Sequence, residues 1–178
     1  MNARSIEPDL RDDCSRCADL CCVALAFDKS DMFAIDKPSG VPCEHLDPSQ
    51  GCAIHDQREQ RGFRGCMQYS CLGAGQRVTQ DIFKGRSWKD DRSLLKPMME
   101  AFRGMRLVHD LVLLINEAAK LPLQPRERRE HRRLAAELRP ASGWTQASLD
   151  AFERGATPSD IRRFLRSLQS TAHGQARN

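Results

Sequence analysis

Eight cysteines, all within the first 71 of 178 residues, constrain this chain more than any other feature. They are Cys14, Cys17, Cys21, Cys22, Cys43, Cys52, Cys66 and Cys71. An even number of thiols in a small secreted protein would read as four disulfides. The start argues otherwise: it is polar and acidic through Asp12 and Asp13, with no basic stretch leading into an apolar run, so no secretory signal is expected. A chain kept in the reducing cytoplasm uses dense cysteine for metal or redox chemistry rather than for bridges. No apolar run approaches 18 residues, so no transmembrane helix is expected either.

The spacing sharpens that reading. Cys14 and Cys17 form a CxxC chelate, in which two intervening residues let both sulfurs reach one ion. At roughly 100° per residue, a helix would bring Cys14, Cys17 and Cys21 within about 60° of one another and turn Cys22 aside, toward a second centre. Residues 23–27 and 32–35 read as two short strands that pair across the turn Asp28–Asp31. Cys43 and Cys52 each follow a Pro/Gly-rich turn, Asp56–Arg61 reads as a helical turn or two ended by Gly62, and Cys66 and Cys71 sit on glycine-flanked turns. Cys43, Cys52, Cys66 and Cys71 are separated by 8, 13 and 4 residues, with no second CxxC, which is unlike a zinc ribbon or finger. Iron, as ions or an iron–sulfur cluster, is therefore the favoured ligand, with zinc as the alternative.

Charge divides the chain. Residues 1–75 carry 8 Lys/Arg against 12 Asp/Glu, a balance of −4, whereas the remainder carries 20 against 12, a balance of +8. The acidic half holds the thiols, where a cation would relieve repulsion. The basic charges are spread over amphipathic helices, so they are read as solvated faces rather than a nucleic-acid surface. After a polar, extended connection over 76–88, the apolar positions Leu94, Met98, Ala101, Met105, Val108, Val112, Ile115 and Ala119 predict one long central helix, widened by Leu107, Leu111 and Leu114, with Pro97 in its first turn. Three further helices follow: 125–138, 145–154, and one opening at Thr157-Pro158-Ser-Asp160. The expected fold is mainly α: a small irregular cysteine-rich metal-binding module with minor β, packed on a C-terminal helical bundle. Its expected divisions are a flexible lead-in (1–12), the cysteine module (13–76), a helical region (77–170) and a flexible tail (171–178).

Other chemistry is sparse. His55, three after Cys52, is read as a support to the metal site rather than a ligand, His45 as a surface loop residue, and His109 as a structural histidine. Arg58, Arg61 and Arg64 are read as solvated surface arginines, with neutralisation of thiolate charge or binding of an anionic substrate by one of them as the functional alternative. Gly73-Ala-Gly75 is read as a turn, with backbone amides aimed at sulfur as its functional alternative. There is no GxSxG, P-loop, GxGxxG or HExxH motif, and the catalytic residues, if any, are unassigned.

The run Cys14-x2-Cys17-x3-Cys21-Cys22 with four further cysteines resembles the CxxCxxxCC, or YkgJ-like, cysteine-cluster family of zinc- or iron-chelating domains. The resemblance extends over Cys52-Ala-Ile-His55, Arg58, Gly62–Cys66 and Cys71–Gln76, in the version found at the N-terminus of some pentapeptide-repeat proteins. No pentapeptide repeats follow here. The resemblance implies metal binding at all eight cysteines and no agreed reaction. Some family members are associated with protein lysine methylation, but no local motif carries that activity to this chain. The function expected is that of a metal-binding protein with a redox, metal-handling or interaction role. The alternative is a metalloenzyme with the centre at its active site, and whether the chain is an enzyme is left open. Metal ions are the expected partners, a protein partner is left open, and neither membrane nor nucleic acid is expected.

Overall fold

In the computed structural model, which describes residues 9–47, 49 and 51–175, the stretch from Asp9 to Ala18 satisfies few of its own amides, through the 3-10 turn Cys14–Arg16 and the Arg11 N–H, which donates to Asp9 at 3.1 Å. Residues 76–89 supply what it lacks. Gln76 accepts from the Asp13 N–H and donates to the Arg11 carbonyl, each at 2.8 Å. Gln80 donates to the Arg16 carbonyl at 2.9 Å. The buried Thr79 hydroxyl accepts from the Ala18 N–H at 3.0 Å, and Trp88 Nε1 donates to the Ala18 carbonyl at 2.7 Å. Leaving either Ala18 group buried and unpaired would cost about 1–3 kcal/mol.

This strapping corrects three expectations. The helix expected through Cys14–Cys22 does not form. Asp19 adopts a left-handed conformation (φ 53°, ψ 36°), and its carboxylate is held by Lys89 Nζ at 2.6 Å, so α1 begins only at Leu20 and ends at Ala24. The connection over 76–88 is not extended: it is α3 (Ala74–Arg77) running into a π-helical turn, Val78–Ile82, with Val78, Phe83 and Trp88 buried. Finally, residues 9–12 are bonded to the cysteine module rather than loose, while the first eight residues of the expected lead-in lie outside the described residues.

The chain divides into two compact units, Met1–Arg106 and Leu107–Asn178. The cysteine module therefore extends well beyond the expected boundary at 76, because the residues that complete its backbone hydrogen bonding come later. Within this first unit the expected pairing of 23–27 with 32–35 reduces to two isolated antiparallel bridges, Phe27 with Lys37 and Ser30 with Phe33. A small antiparallel sheet forms instead between β1 (Leu46–Asp47) and β2 (Gly51–Cys52), with Leu46 opposite Cys52. The α2 helix spans Arg64–Gln68. Leu20, Val23, Phe63, Ala74, Val78, Phe83 and Trp88 form the buried set of this unit, joined by Met98, Ala101, Phe102 and Met105 from the first half of α4 (Leu95–Ala118).

The second unit is helical. Val108, Leu111, Val112 and Ile115 of α4 are buried, as the periodicity predicts, but at its end Ala118 is buried and the expected Ala119 is exposed; His109 is 3% exposed, as a structural histidine would be. Leu114 is 45% exposed and Leu107 half-buried, so the apolar stripe is narrower than expected. A capping box of Gln124 and Glu127, with Pro125 at the first position, opens α5 (Pro125–Glu137); Thr145 and Ser148 open α6 (Gln146–Arg154) in the same way. α7 (Thr157–Gln175) packs against both. Thr157 does not cap α7: its hydroxyl donates to Glu137 at 2.6 Å. The α7 backbone continues to Gln175, past the expected start of the tail, and the last three residues lie outside the described ones. The fold is mainly α, with seven α-helices and a two-stranded sheet among the described residues.

Candidate metal centre

Each thiol arrives by a different local device. Cys14 opens the 3-10 turn and is the most exposed thiol; the other seven are partly buried. Cys17 follows in extended backbone, and Cys21 and Cys22 are the second and third residues of α1. The Cys22 carbonyl accepts from the Cys43 N–H at 3.0 Å, and the Cys43 carbonyl accepts from the Leu46 N–H at 2.9 Å, so one chain of backbone bonds ties α1 to the hairpin that carries Cys52. Cys66 lies within α2, and Cys71 lies just before two left-handed residues, Leu72 (φ 52°) and Gly73 (φ 75°), that turn the chain into α3. All eight are free thiols.

The expected single helical face of Cys14, Cys17 and Cys21 is absent, yet the fold still gathers these residues. Cys21 is within electrostatic reach of Cys14, of Cys17 and of Cys66. On one side Cys17 neighbours Cys71. On the other, Cys66 neighbours Cys43 and Cys52. Cys22 hydrogen-bonds to Cys21. By these electrostatic neighbours the thiols fall into two groups that share Cys21.

The ground between these groups is closely built. A Cβ at Gly75 would lie 2.5 Å from Cys17 Sγ, so the Cys17 sulfur keeps its place only beside glycine, while Cys71 Sγ, at 3.8 Å, would be in ordinary contact. The N–H groups of Gly75 and Gly73 point to Cys71, which is the functional alternative for Gly73–Gly75 rather than a plain turn. The Cys71 thiol donates to Asp12 at 3.1 Å, and Asp12 also accepts from the Gly73 N–H at 2.8 Å. The Tyr69 hydroxyl is sealed from solvent, with Arg106 against its ring, in electrostatic reach of Cys71 and Cys21. Lys37, only 4% exposed, faces Cys43, Cys22, Cys21 and Cys66. Arg58 stands near Cys14 and Cys66, with its Nε donating to the His55 carbonyl at 2.7 Å.

Asp12, Lys37 and Tyr69 were not singled out from the sequence. Lys37 precedes Pro38 and a breaker-rich loop, which reads as surface; its burial depends on carbonyls at the end of α1. The histidines also differ from expectation. His55 is 55% exposed and pairs with Asp56 at 2.9 Å, so its ring faces solvent rather than the thiols. His45 is not a surface loop residue: its ring meets Phe63 edge-on at 5.1 Å. Arg61 reaches Gln57, leaving Arg58 as the arginine of the expected trio that faces the thiols.

Burial favours the protonated form of Cys17, Cys66 and Cys71. It pushes Cys17 up to about 12, and it pushes Cys66 and Cys71 up to about 11. Cys21 is raised first by its hydrogen bond with Cys22 and then by burial. The sign for stability follows directly. Below pH 9 the folded and unfolded chains hold the same thiol protons. Above it the unfolded chain ionises first, so the metal-free protein loses stability as pH rises from about 9 toward 11. Chemical denaturation in reductant and chelator across that range should show a falling midpoint; a flat profile would contradict the buried-thiol arrangement.

The region is thiol-rich: eight free thiols, with Gly75 packed against Cys17 and a buried Lys37 that bonds to carbonyls. As the side chains stand, no three His, Cys, Asp or Glu among the described residues already converge on one ion position, so the thiols would have to turn onto a bound centre. No described helix is long and apolar enough to cross a membrane. No family model matches the chain, and no solved structure matches it. It is similar to "Uncharacterized protein YybG" of Bacillus subtilis (strain 168), with 39% identity over 119 residues covering 67% of this chain and 43% of that relative, so the match spans less than half of the relative's length.

Proposed function

We propose that this chain is a metal-binding protein of the CxxCxxxCC type. It would hold iron, as ions or an iron–sulfur cluster, or zinc in its place, through Cys14, Cys17, Cys21, Cys22, Cys43, Cys52, Cys66 and Cys71 in a reducing cytoplasm. The observation that carries this reading is the gathering of eight free thiols into two groups that share Cys21. Neutral thiols have little reason to be collected beside a buried lysine, whereas thiolates on a cation do. In this reading Cys14, Cys17, Cys21 and Cys71 serve one centre and Cys22, Cys43, Cys52 and Cys66 the other. Bound iron–sulfur would supply one-electron transfer, and a bound ion would supply a Lewis acid or a structural tie. The protein's part is to hold the sulfurs, exclude water with Val23, Phe63 and Tyr69, and balance charge with Lys37 and Arg58.

The role is redox, metal handling or interaction with a protein. Two four-coordinate centres use all eight thiols, which leaves no open position for substrate. One observation favours the metalloenzyme alternative: Cys14 is exposed, and its release from the metal would open a site at the surface. Purification without oxygen, followed by elemental analysis and an absorption spectrum, tests the main reading. Iron or zinc in stoichiometric amount is expected. A chain that remains metal-free on supplementation, and that is equally stable with and without strong chelator, would refute it.

A further inference from the structure

The second unit holds a groove of about 1020 Å³ between α5 and α7. Arg126, Arg129, Glu130 and Arg133 line it from α5, spaced so that they share one helical face. Asp160, Arg163, Phe164 and Ser167 line it from α7 with the same spacing. Four arginines thus meet three carboxylates, the third being Glu127. Every one of these carboxylates is already engaged. Glu130 accepts from Arg133 at both oxygens, from Nε at 3.0 Å and from Nη2 at 2.7 Å. Asp160 accepts from Arg163 Nη1 at 2.8 Å, and Glu127 accepts from the Gln124 N–H at 2.7 Å in the capping box. Arg126 and Arg129 are left over. Both are exposed, and among the described residues neither has a hydrogen bond or an ion pair.

Two uncommitted guanidiniums side by side are not what the stability of this helix would select. Arg126 and Arg129 stand near the start of α5, where the macrodipole disfavours cations, and they are close neighbours on its surface, where like charges repel. The Arg133–Glu130 pair shows how a carboxylate sits on this face, with two parallel bonds from one guanidinium. We propose that the groove between α5 and α7 docks an acidic segment of another protein, with carboxylates of that segment on Arg126 and Arg129. The groove is several times larger than a lone anion, so it suits a length of chain. Glu127, Glu130 and Asp160 along its walls would repel a continuous phosphate backbone. Separated peptide carboxylates avoid them, reach the two free guanidiniums, and leave apolar side chains to lie against the buried Phe164. This surface lies wholly in the second unit, and the proposal stands whether or not the thiols hold metal.

Fluorescence anisotropy of the full chain at low salt tests this with three labelled probes. The first is a short peptide of glutamate and alanine with a central leucine, the second has glutamine for each glutamate, and the third is oligothymidylate. Arg126→Gln with Arg129→Gln is compared with Arg128→Gln with Arg132→Gln, which removes the same charge from exposed positions of α5 outside the groove. The unaltered chain is expected to bind the glutamate peptide and not its glutamine counterpart. The groove variant should bind the glutamate peptide about tenfold more weakly, with its thermal midpoint unchanged or raised. The control variant should keep most of the affinity. Absence of binding to the glutamate peptide overturns the proposal. So does an equal loss of affinity in the two variants, because diffuse basic charge then accounts for it. Tighter binding of oligothymidylate that depends on Arg126 and Arg129 would give the groove to nucleic acid instead. A lost affinity accompanied by a lowered midpoint would give the two arginines to the fold, and either result overturns the proposal.

Discussion

Gly75→Ala is expected to lower the thermal midpoint of the metal-free protein by on the order of 10 °C and to remove metal from the Cys17–Cys71 side of the site. The methyl group would sit 2.5 Å from Cys17 Sγ, far inside contact distance, at a buried position. The strain falls first on the Cys17 side chain, which must turn its sulfur away from the position it holds beside Cys71, and the backbone on either side gives little room. Cys17 follows a segment strapped to Gln76, Thr79, Gln80 and Trp88, and the Gly75 carbonyl is itself held by the Thr79 hydroxyl at 3.0 Å. Moving α3 outward would break the Thr79–Ala18 bond, and moving Cys17 outward would pull Ala18 off Trp88. Overpacking of this kind costs about 1–3 kcal/mol, occasionally more, and a unit near 100 residues shifts by about 4–8 °C per kcal/mol. Thermal unfolding with and without metal measures both effects. A variant with unaltered midpoint and full metal content would show that the Gly75–Cys17 approach does not matter. Ala74→Gly, one position earlier, should not weaken metal binding in this way, since it adds no atom.

Much of this was readable in the residues, and the failures have one cause. The long helix was legible because Met98, Ala101, Met105, Val108, Val112 and Ile115 repeat at a helical period that few other structures could use. The helices expected over 125–138 and 145–154 form, each opened by a capping box. The cysteine segment carried no such local signal. Spacing suggested a regular helix through Cys14–Cys22, but the conformation there is decided by Thr79, Trp88 and Lys89, about 60–70 residues later. For the same reason 76–88 read as a polar connection: Gln76 and Thr79 are polar because the loop they support needs hydrogen-bond partners, and a periodicity argument sees only their polarity. Lys37 and Tyr69 were missed because their burial is a property of the assembled loops. Short-range reading found the thiols and not what surrounds them.

Cys21→Ser tests the arrangement at its centre. Serine keeps the shape nearly unchanged and replaces a soft sulfur with a hard, weakly acidic oxygen that binds iron or zinc poorly. Cys21 adjoins Cys14 and Cys17 on one side and Cys66 on the other, hydrogen-bonds to Cys22, and lies in the field of Lys37. Its loss therefore disturbs both groups at once. The expected result is retention of less than about half of the normal metal after purification without oxygen, with the fold destabilised because metal binding and folding share the same free energy. Cys14→Ser is the matched control. Cys14 is exposed at the edge of one group, and its loss is expected to weaken only that group and to spare most of the stability. Elemental analysis and thermal unfolding of the two variants, prepared in parallel, give the comparison. Equal metal loss from both would mean that the two groups load independently and that the Cys21–Cys22 pair does not join them. The order cannot be read from spacing, which treats Cys14, Cys17 and Cys21 as equals. It follows from the break at Asp19, which leaves Cys14 at the surface and carries Cys21 into the middle of the other thiols.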